Sequence, residues 1–586
     1  MILDARKDVG DGATIECDVC IVGSGPAGIP LALELAQQGL QVVILEAGGK
    51  RWSRENQDFF RGQVTGGYGN TLQDYRHRRL GGTSCVWGGR CFLFDPIDFE
   101  KRDYVPDSGW PVTRDEMLPY YERAHTWCHI GSMTYDASTA LPDQVPEMIP
   151  GVLDDEVVMS ALERWSLPTQ FARDYSDPLR QSANLRVFIN AACTDIDLNN
   201  DLETVSSLKV RTGGAKTFTA KARVFVLAAG GLEVPRLLLA SSHQLPAGIG
   251  NHHDLVGRYF MEHCNGNIST AVLSVDSRKM NHGYYKDRES VYVRRRLNIS
   301  EAAQRKYSIP NFGAGLGFPP PVDPDHGNAI LSAIFFAKHI RRIGRRIPPS
   351  FNKPASKQID EGYKLWLRHF RNILLGAPEL SLFLPRFAYL HFLKKRRLPG
   401  IVLPTRNANF AIWYQTEQTP NRDSRVALSD ELDQFGMRRI VMDFHCNEID
   451  VTGIVKAHQL IDRHFRRNEI GYVQFHRDDV EADVREQFKP AGGHIMGTTR
   501  MADDPRHGVV DPNCRVFGTR NLFVASSAVF PTSSHANPTL TIVAMTVRLA
   551  DHLRTVIGAS DPERERAFAA APADATMPTG PSGNGV

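Results

Sequence analysis

The chain has 586 residues, 42% of them hydrophobic and 23% charged, with a net charge of +3. A single core stops growing near roughly 250–300 residues, so more than one domain is expected, and the near-neutral balance argues against nucleic acid as the main partner. Nine scattered cysteines without zinc-ligand spacing, no apolar run of the ~18–20 residues a membrane span needs and no leader-like start together predict a metal-free protein in a reduced, cytoplasmic setting.

Asp18-Val19-Cys20-Ile21-Val22 reads as a buried parallel strand that runs into Gly23-Ser24-Gly25-Pro26-Ala27-Gly28, with a helix over 26–38 and a second strand, Gln41 to Leu45, ending at Glu46. This is a βαβ start carrying a dinucleotide fingerprint. Gly23 permits the tight turn, Gly25 lets the backbone approach a pyrophosphate, and Gly28 allows close helix–strand packing. Pro26 and Ala27 complete the turn, and the helix N-terminus adds partial positive charge. Glu46 accepts from ribose hydroxyls and repels a 2′-phosphate, which disfavours NADP. Cys17 and Cys20 form a Cys-x-x-Cys, but they lie before and inside a strand, where a thiolate gains little, so they read as structural.

A loop-rich stretch over 49–110 contains Leu80-Gly81-Gly82-Thr83-Ser84-Cys85-Val86-Trp87-Gly88-Gly89. Strand-like alternation over 184–230, with turns at Asn199-Asn200-Asp201 and Gly213-Gly214, ends in a second buried run meeting a glycine turn at Ala229-Gly230-Gly231. From 261 to 487 the segments are longer and less regular. Arg425–Leu428 and Arg439–Phe444, around Gly436, predict an antiparallel hairpin in a second domain.

Within that region, 338–397 holds fifteen Lys or Arg against Asp360, Glu361 and Glu379, a local charge of 15 − 3 = +12. Apolar residues such as Trp366, Phe370 and Phe387 are interleaved. Two readings stand: a lid with an apolar inner face, or a basic amphipathic surface for an anionic membrane or partner. The parallel pattern returns at 521–525, so the first domain is discontinuous. Asn537-Pro538-Thr539 opens a buried helix, with Asn537 suited to the N-cap and Pro538 to the first turn. The Ala/Pro/Gly-rich end, 557–586, reads as a disordered tail.

At residues 23–28, 80–89, 425–428, 494–501 and 521–541 the chain resembles the glucose-methanol-choline (GMC) family of FAD-dependent oxidoreductases. Gly82-Thr83-Ser84-Cys85-Val86-Trp87 and Val524-Ala525-Ser526-Ser527 lean toward its pyranose-oxidase-like and sugar-dehydrogenase-like branch. The resemblance implies an α/β fold, with a discontinuous Rossmann-like FAD-binding domain (14–260 and 488–556) and an α+β substrate-binding domain with a mainly antiparallel sheet (261–487). It implies oxidation of a secondary alcohol on a sugar, glycoside or polyol, with oxygen or quinone as acceptor; an electron-transfer subunit passing electrons to quinone, or a non-sugar alcohol, is the alternative.

The same resemblance makes His494, heading His-Ile-Met-Gly-Thr-Thr-Arg-Met, the catalytic base, and places Asn537 where the family carries histidine or asparagine. His535 is an additional active-site candidate, and His263 reads as supporting structure. The expected cofactor set adds Arg76, Gly81, Gly82, Thr83, Ser84, Trp87, Gly88, Cys193, Ala229, Pro538 and Thr539. Two positions depart from the family. Ser526 stands where many glucose-oxidase-like members have aspartate, and Val86 replaces the histidine that anchors flavin covalently in pyranose oxidases, so noncovalent FAD is expected.

Overall fold

Val19, Cys20 and Ile21 on one strand and Val43 and Ile44 on the next are fully buried, as a strand covered on both faces requires. A computed structural model describes residues 1–66, 71–214, 216–339, 362–403, 409–487, 489–490 and 493–559. In it these strands form the centre of an eight-stranded sheet. Its order is Ile2–Asp4, Leu185–Ile189, Val42–Glu46, Thr14–Val22, Thr217–Leu227, Val205–Arg211, Ala192–Leu198. Thr14–Val22 runs parallel to both neighbours, pairing Ile21 with Ile44 and with Val226. Leu522–Val524 lies parallel to the C-terminal end of Thr217–Leu227, so the last part of the chain completes a sheet begun by the first.

The helix Gly28–Gln37 follows the glycine turn, and Thr539–Ala559 packs nearby, tied to Arg114–Cys128 through Tyr121 Oη and Thr541 Oγ1 at 2.9 Å. The glycine fingerprint works as its spacing predicts. Gly23 has φ +107, and a Cβ on Gly28 would lie 2.0 Å from Gly23 O, so only glycine lets this helix start against the strand.

A second eight-stranded sheet is antiparallel, in the order Gly471–Phe475, Ser269–Leu273, Asn409–Thr416, Phe312–Gly317, Leu297–Ile299, Val157–Val158, with Cys264–Gly266 and Lys489–Pro490 beside it. The long helix Glu448–Arg467 covers it with Val451, Ile454, Leu460, Ile461 and Phe465. The fold is therefore the expected α/β unit joined to an α+β unit. The expected boundary at residue 261 cuts across pairings, however. Val157–Val158 joins the antiparallel sheet, and Leu162–Trp165 pairs with Tyr292–Arg295.

The expected hairpin forms as Arg425–Leu432 and Arg438–Asp443, turning through Gly436 at φ +76, but it does not join the second sheet. It pairs in parallel with Gln63–Thr65, and Val426, Ile440 and Met442 pack with Leu232 of the helix Gly230–Ala240. The apolar side of the hairpin fits that helix, so it buttresses the parallel-sheet unit.

Residues 340–361 of the basic segment and 560–586 of the expected tail lie outside the described residues, and 557–559 end the last helix. All nine cysteines are free; the Cys17 side chain, then burial, push the Cys20 thiol well up, which fits the structural reading of that pair.

One buried ion pair joins the two units. Arg102 Nη1 and Nη2 donate to both oxygens of Glu417 at 2.7 and 2.6 Å, with both side chains at 0% exposure. Glu417 also accepts from Asn311 N at 3.0 Å. Glu417→Ala strands a guanidinium without its carboxylate and should cost about 3–5 kcal/mol in a denaturant titration, whereas a paired Arg102→Met/Glu417→Met variant should lie much closer to the parent.

Candidate active site

The two halves of the expected site meet at one cavity of about 450 Å³, at the C-terminal ends of the parallel strands. The first glycine turn contributes Gly23, Gly25 and Pro26, and the second strand ends there with Glu46. The 80s loop supplies Gly82, Thr83, Ser84, Val86, Trp87 and Gly88. Arg76, Cys193, Ala229, His494, Asn537, Pro538 and Thr539 also line it.

Four expected cofactor residues stand just behind the wall. Ala27 and Gly28 start the helix, and Gly81, at φ +89, donates its N–H to Ser24 Oγ at 3.2 Å. Ser526 Oγ accepts from Ala528 N at 3.2 Å, and its neighbour Ser527 faces the cavity instead.

The cavity fits a dinucleotide on three local observations. A Cβ on Gly25 would meet nothing within 4 Å, so the backbone there is open to a ligand. Buried His77 Nδ1 and Arg78 Nε on the wall have no hydrogen-bond partner among the described residues. Burial lowers the Arg78 guanidinium to about 10, and an anionic ligand would restore it.

Glu46 accepts from Ser24 N at 3.1 Å, Ser24 Oγ at 2.5 Å and Gly48 N at 2.7 Å. Three of its roughly four lone-pair directions are thus used, and one is left for a ribose hydroxyl. Arg76 donates to Glu233 Oε1 at 2.6 Å and lies 3.8 Å over the Phe60 ring, so this arginine shapes the wall while already paired.

At the other end of the cavity the hydrogen bonds determine which atom of His494 is basic. Ser533 O can only accept, so His263 Nε2, 3.1 Å away, carries the proton. His263 Nδ1 is then a lone pair, and His494 Nδ1 donates to it at 2.9 Å. From the opposite side, His535 O can only accept, so Gln415 presents its Nε2 there at 2.5 Å. Gln415 Nε2 also donates to Asn537 Oδ1 at 3.1 Å, which turns Asn537 Nδ2 toward His494 Nε2 at 3.2 Å. Both chains end on one lone pair, that of His494 Nε2.

The sequence left several of these groups unmarked. Gln415 sits on Asn409–Thr416 without any motif, and its Oε1 accepts from Arg90 Nη1 at 3.3 Å. Arg90 lines the cavity and is held by Glu163 Oε2 at 2.5 Å; its place directly after Gly88-Gly89 is the one signal that could have found it. Glu262 Oε1 accepts from Gly493 N at 2.7 Å and His494 N at 3.0 Å, so one dipeptide, Glu262-His263, holds both the backbone and the ring of His494.

Burial, then the charge of Arg90, push His494 down to about 4, and burial, then His494, push His263 well below the usual range. Both rings are neutral near pH 7. His535 does not share the cavity. Its Nδ1 meets Arg296 Nη2 at 3.0 Å, its Nε2 meets Asp95 Oδ2 at 3.1 Å, and it stacks on Phe92, so neither nitrogen is free to act as a base. Asn537 is turned into the site, its oxygen on Gln415 and its amide on His494, rather than spent as a helix cap.

Residues 420–546 match the family model described as GMC oxidoreductase, and residues 18–254 match the one described as FAD dependent oxidoreductase. The 2-methyl-1,2-propanediol dehydrogenase of Mycolicibacterium austroafricanum is 24% identical, over 92% of this chain and 95% of that one. Paromamine 6'-oxidase of Streptomyces fradiae is also 24% identical, over 91% and 90%. Among solved structures, pyridoxine 4-oxidase from Mesorbium loti superposes with a TM-score of 0.51 at 17% identity, covering 92% of this chain and 99% of that one.

Gly25→Ala adds a Cβ to an open cradle without touching the protein, so it should fold with an unchanged apo-protein melting temperature and lose dinucleotide affinity in fluorescence titration. Gly28→Ala, which collides with Gly23 O, should instead lower the melting temperature.

Proposed function

This chain belongs to the GMC oxidoreductase family and is an FAD-dependent enzyme acting on alcohol groups; on that premise we propose that it oxidises a secondary hydroxyl of a sugar, glycoside or polyol to a ketone. The observation that carries this reading is the unprotonated His494 Nε2, met by the Asn537 amide at 3.2 Å, with both residues on the wall of the cavity that the glycine turn and the 80s loop also line. FAD bound there supplies the acceptor for the hydride that leaves the carbinol carbon.

The protein's part is proton removal and positioning. A hydroxyl entering between Asn537 and His494 gives its proton to Nε2 and accepts from Asn537 Nδ2. His263 keeps the opposite nitrogen protonated, so the ring cannot present the wrong tautomer. Arg90, on the same wall, offers guanidinium donors to further oxygens of a hydroxyl-rich substrate, which favours saccharides and polyols over plain hydrocarbon alcohols. Names of relatives point the same way, to a diol and to paromamine.

The cofactor is proposed to be noncovalent, because Val86 on the cavity wall has no nucleophilic atom. Acid precipitation should release the whole flavin into the supernatant; flavin retained in the pellet would refute this. One relative is named an oxidase and the other a dehydrogenase, so oxygen and quinone both remain candidates for the acceptor.

Anaerobic bleaching of the bound flavin against a panel of sugars, glycosides and polyols tests the substrate class, and no bleaching by any alcohol would favour an electron-transfer subunit. His494→Ala should slow bleaching by roughly 10²–10⁴-fold, while His535→Ala should act on stability more than on rate. His263→Phe should slow it on the order of 10–100-fold with flavin content retained, because the tautomer is no longer imposed.

The base works only when neutral, and its pKa is lowered to about 4. The bleaching rate should therefore stay level as pH falls from 7 to 5 and drop only as pH passes through about 4. An inflection at the ordinary histidine value of ~6.5 would contradict the neutral, buried base.

A further inference from the structure

Twenty large hydrophobic side chains are exposed among the described residues, and eleven of them fall within residues 363–393. That concentration sits on two consecutive helices, Tyr363–Leu375 and Ala377–Ala388, the second running on into a wider turn over Tyr389–Leu393. We propose that this helical pair docks the protein on the surface of an anionic phospholipid bilayer.

The first helix turns polar side chains toward the protein and leaves apolar ones exposed. The side it turns to the protein carries His369, at 0% exposure and bonded to Ser332 Oγ at 3.0 Å, and Asn372, which donates to Pro324 O at 2.8 Å. Trp366 packs inward on Phe335 and Phe336, but an apolar stripe of the helix faces outward. Tyr363, Leu367, Phe370 and Leu374 recur at helical spacing on one stripe, with exposures of 72, 58, 52 and 60%. Lys364, Arg368 and Arg371, also exposed, recur at the same spacing on the adjoining stripe.

On the second helix Leu380 and Phe383 pack against Ile330, Leu331 and Leu403, while Leu382 and Leu384 stay exposed at 77 and 51%. Phe392 and Leu393 then extend the apolar face, and Lys394, Lys395 and Arg397 border it.

A soluble monomer rarely exposes a contiguous apolar patch of this kind. A protein partner would match the apolar stripe, but the continuous cationic border of Lys364, Arg371, Lys394 and Lys395 is the pattern of a helix lying at an anionic headgroup layer, with aromatic side chains at the boundary. The pair lies on the surface rather than crossing it. Among the described residues no single helix is long and apolar enough to span a membrane, and these two are bent by 81° at their junction.

The docking face is fastened to the flavin cavity. Arg396 donates to Trp165 O at 3.0 Å and His129 O at 3.1 Å, and Arg397 N donates to Leu167 O at 3.3 Å. That strip packs on the 80s loop through Trp87 Nε1, which donates to Thr169 O at 2.6 Å, and Trp87 lines the cavity.

Flotation of the FAD-loaded full chain with phosphatidylcholine vesicles, with and without phosphatidylglycerol, tests the proposal. The protein should float with the anionic vesicles, stay behind with the neutral ones and be released by high salt. Leu367→Glu/Phe370→Glu/Leu374→Glu should lose at least about tenfold in partitioning, and Lys364→Glu/Arg371→Glu should lose it in the anionic vesicles, with flavin content and bleaching unchanged in both. Equal flotation on neutral vesicles, no flotation on either, or parental flotation of the triple variant would overturn it. So would a parent that is dimeric in solution and fails to float while the triple variant is monomeric, since the face would then join two copies of the chain.

Discussion

Two backbone carbonyls, Ser533 O and His535 O, govern the chemistry of this site because a carbonyl can only accept. From the first the proton positions pass through His263 to His494; from the second they pass through Gln415 to Asn537. Both carbonyls belong to one loop, and the rest of the architecture holds that loop still. Residues Thr532 to Ala536 are buried, Thr532 Oγ1 donates to Asp98 O at 2.8 Å, Trp110 Nε1 donates to Thr532 Oγ1 at 2.8 Å, and Ser533 Oγ accepts from Gln418 N at 3.0 Å. Gln418 adjoins Glu417, whose buried pairing with Arg102 locks the antiparallel sheet to the loop before residue 110.

Neutrality is the second condition. Two imidazoles sharing a hydrogen bond cannot both be cationic at that distance, and burial removes the incentive for either to protonate. Arg90 adds to the same effect from the cavity wall. Its own charge is balanced by Glu163, so the site keeps a guanidinium without giving His494 a carboxylate that would raise its pKa.

The phosphate half of the site was legible because glycine carries its meaning in backbone geometry. Gly23, Gly25 and Gly28 each have a steric task that spacing reveals, and the continuous apolar strands beside them can be buried only in a parallel sheet. His494 and Asn537 were legible through resemblance to a family, not through their own spacing. What stayed hidden was relational. Gln415 lies on an ordinary strand, and Glu262-His263 become a clamp only because Met261 pairs with Met496 and draws the two segments together. The hairpin at 425–443 was recognised as a hairpin but assigned to the wrong neighbour, since alternation specifies a buried face and not what covers it. His535 stayed only a candidate for the same reason: its proximity to Asn537 in sequence says nothing of the Arg296 and Asp95 that occupy its ring.

The long strand Thr217–Leu227 gives its N-terminal end to the hairpin strand Val205–Arg211 and its C-terminal end to Leu522–Val524. Nearly three hundred residues of synthesis separate the making of that edge from the arrival of its partner. During translation the sheet therefore waits with Phe225, Val226 and Leu227 uncovered on one side, and the wall that carries His494 and Asn537 does not yet exist. The glycine-turn side of the pocket is synthesised early and the side that carries His494 and Asn537 late. A chain built this way leaves an apolar strand edge open until its last strand arrives to close it.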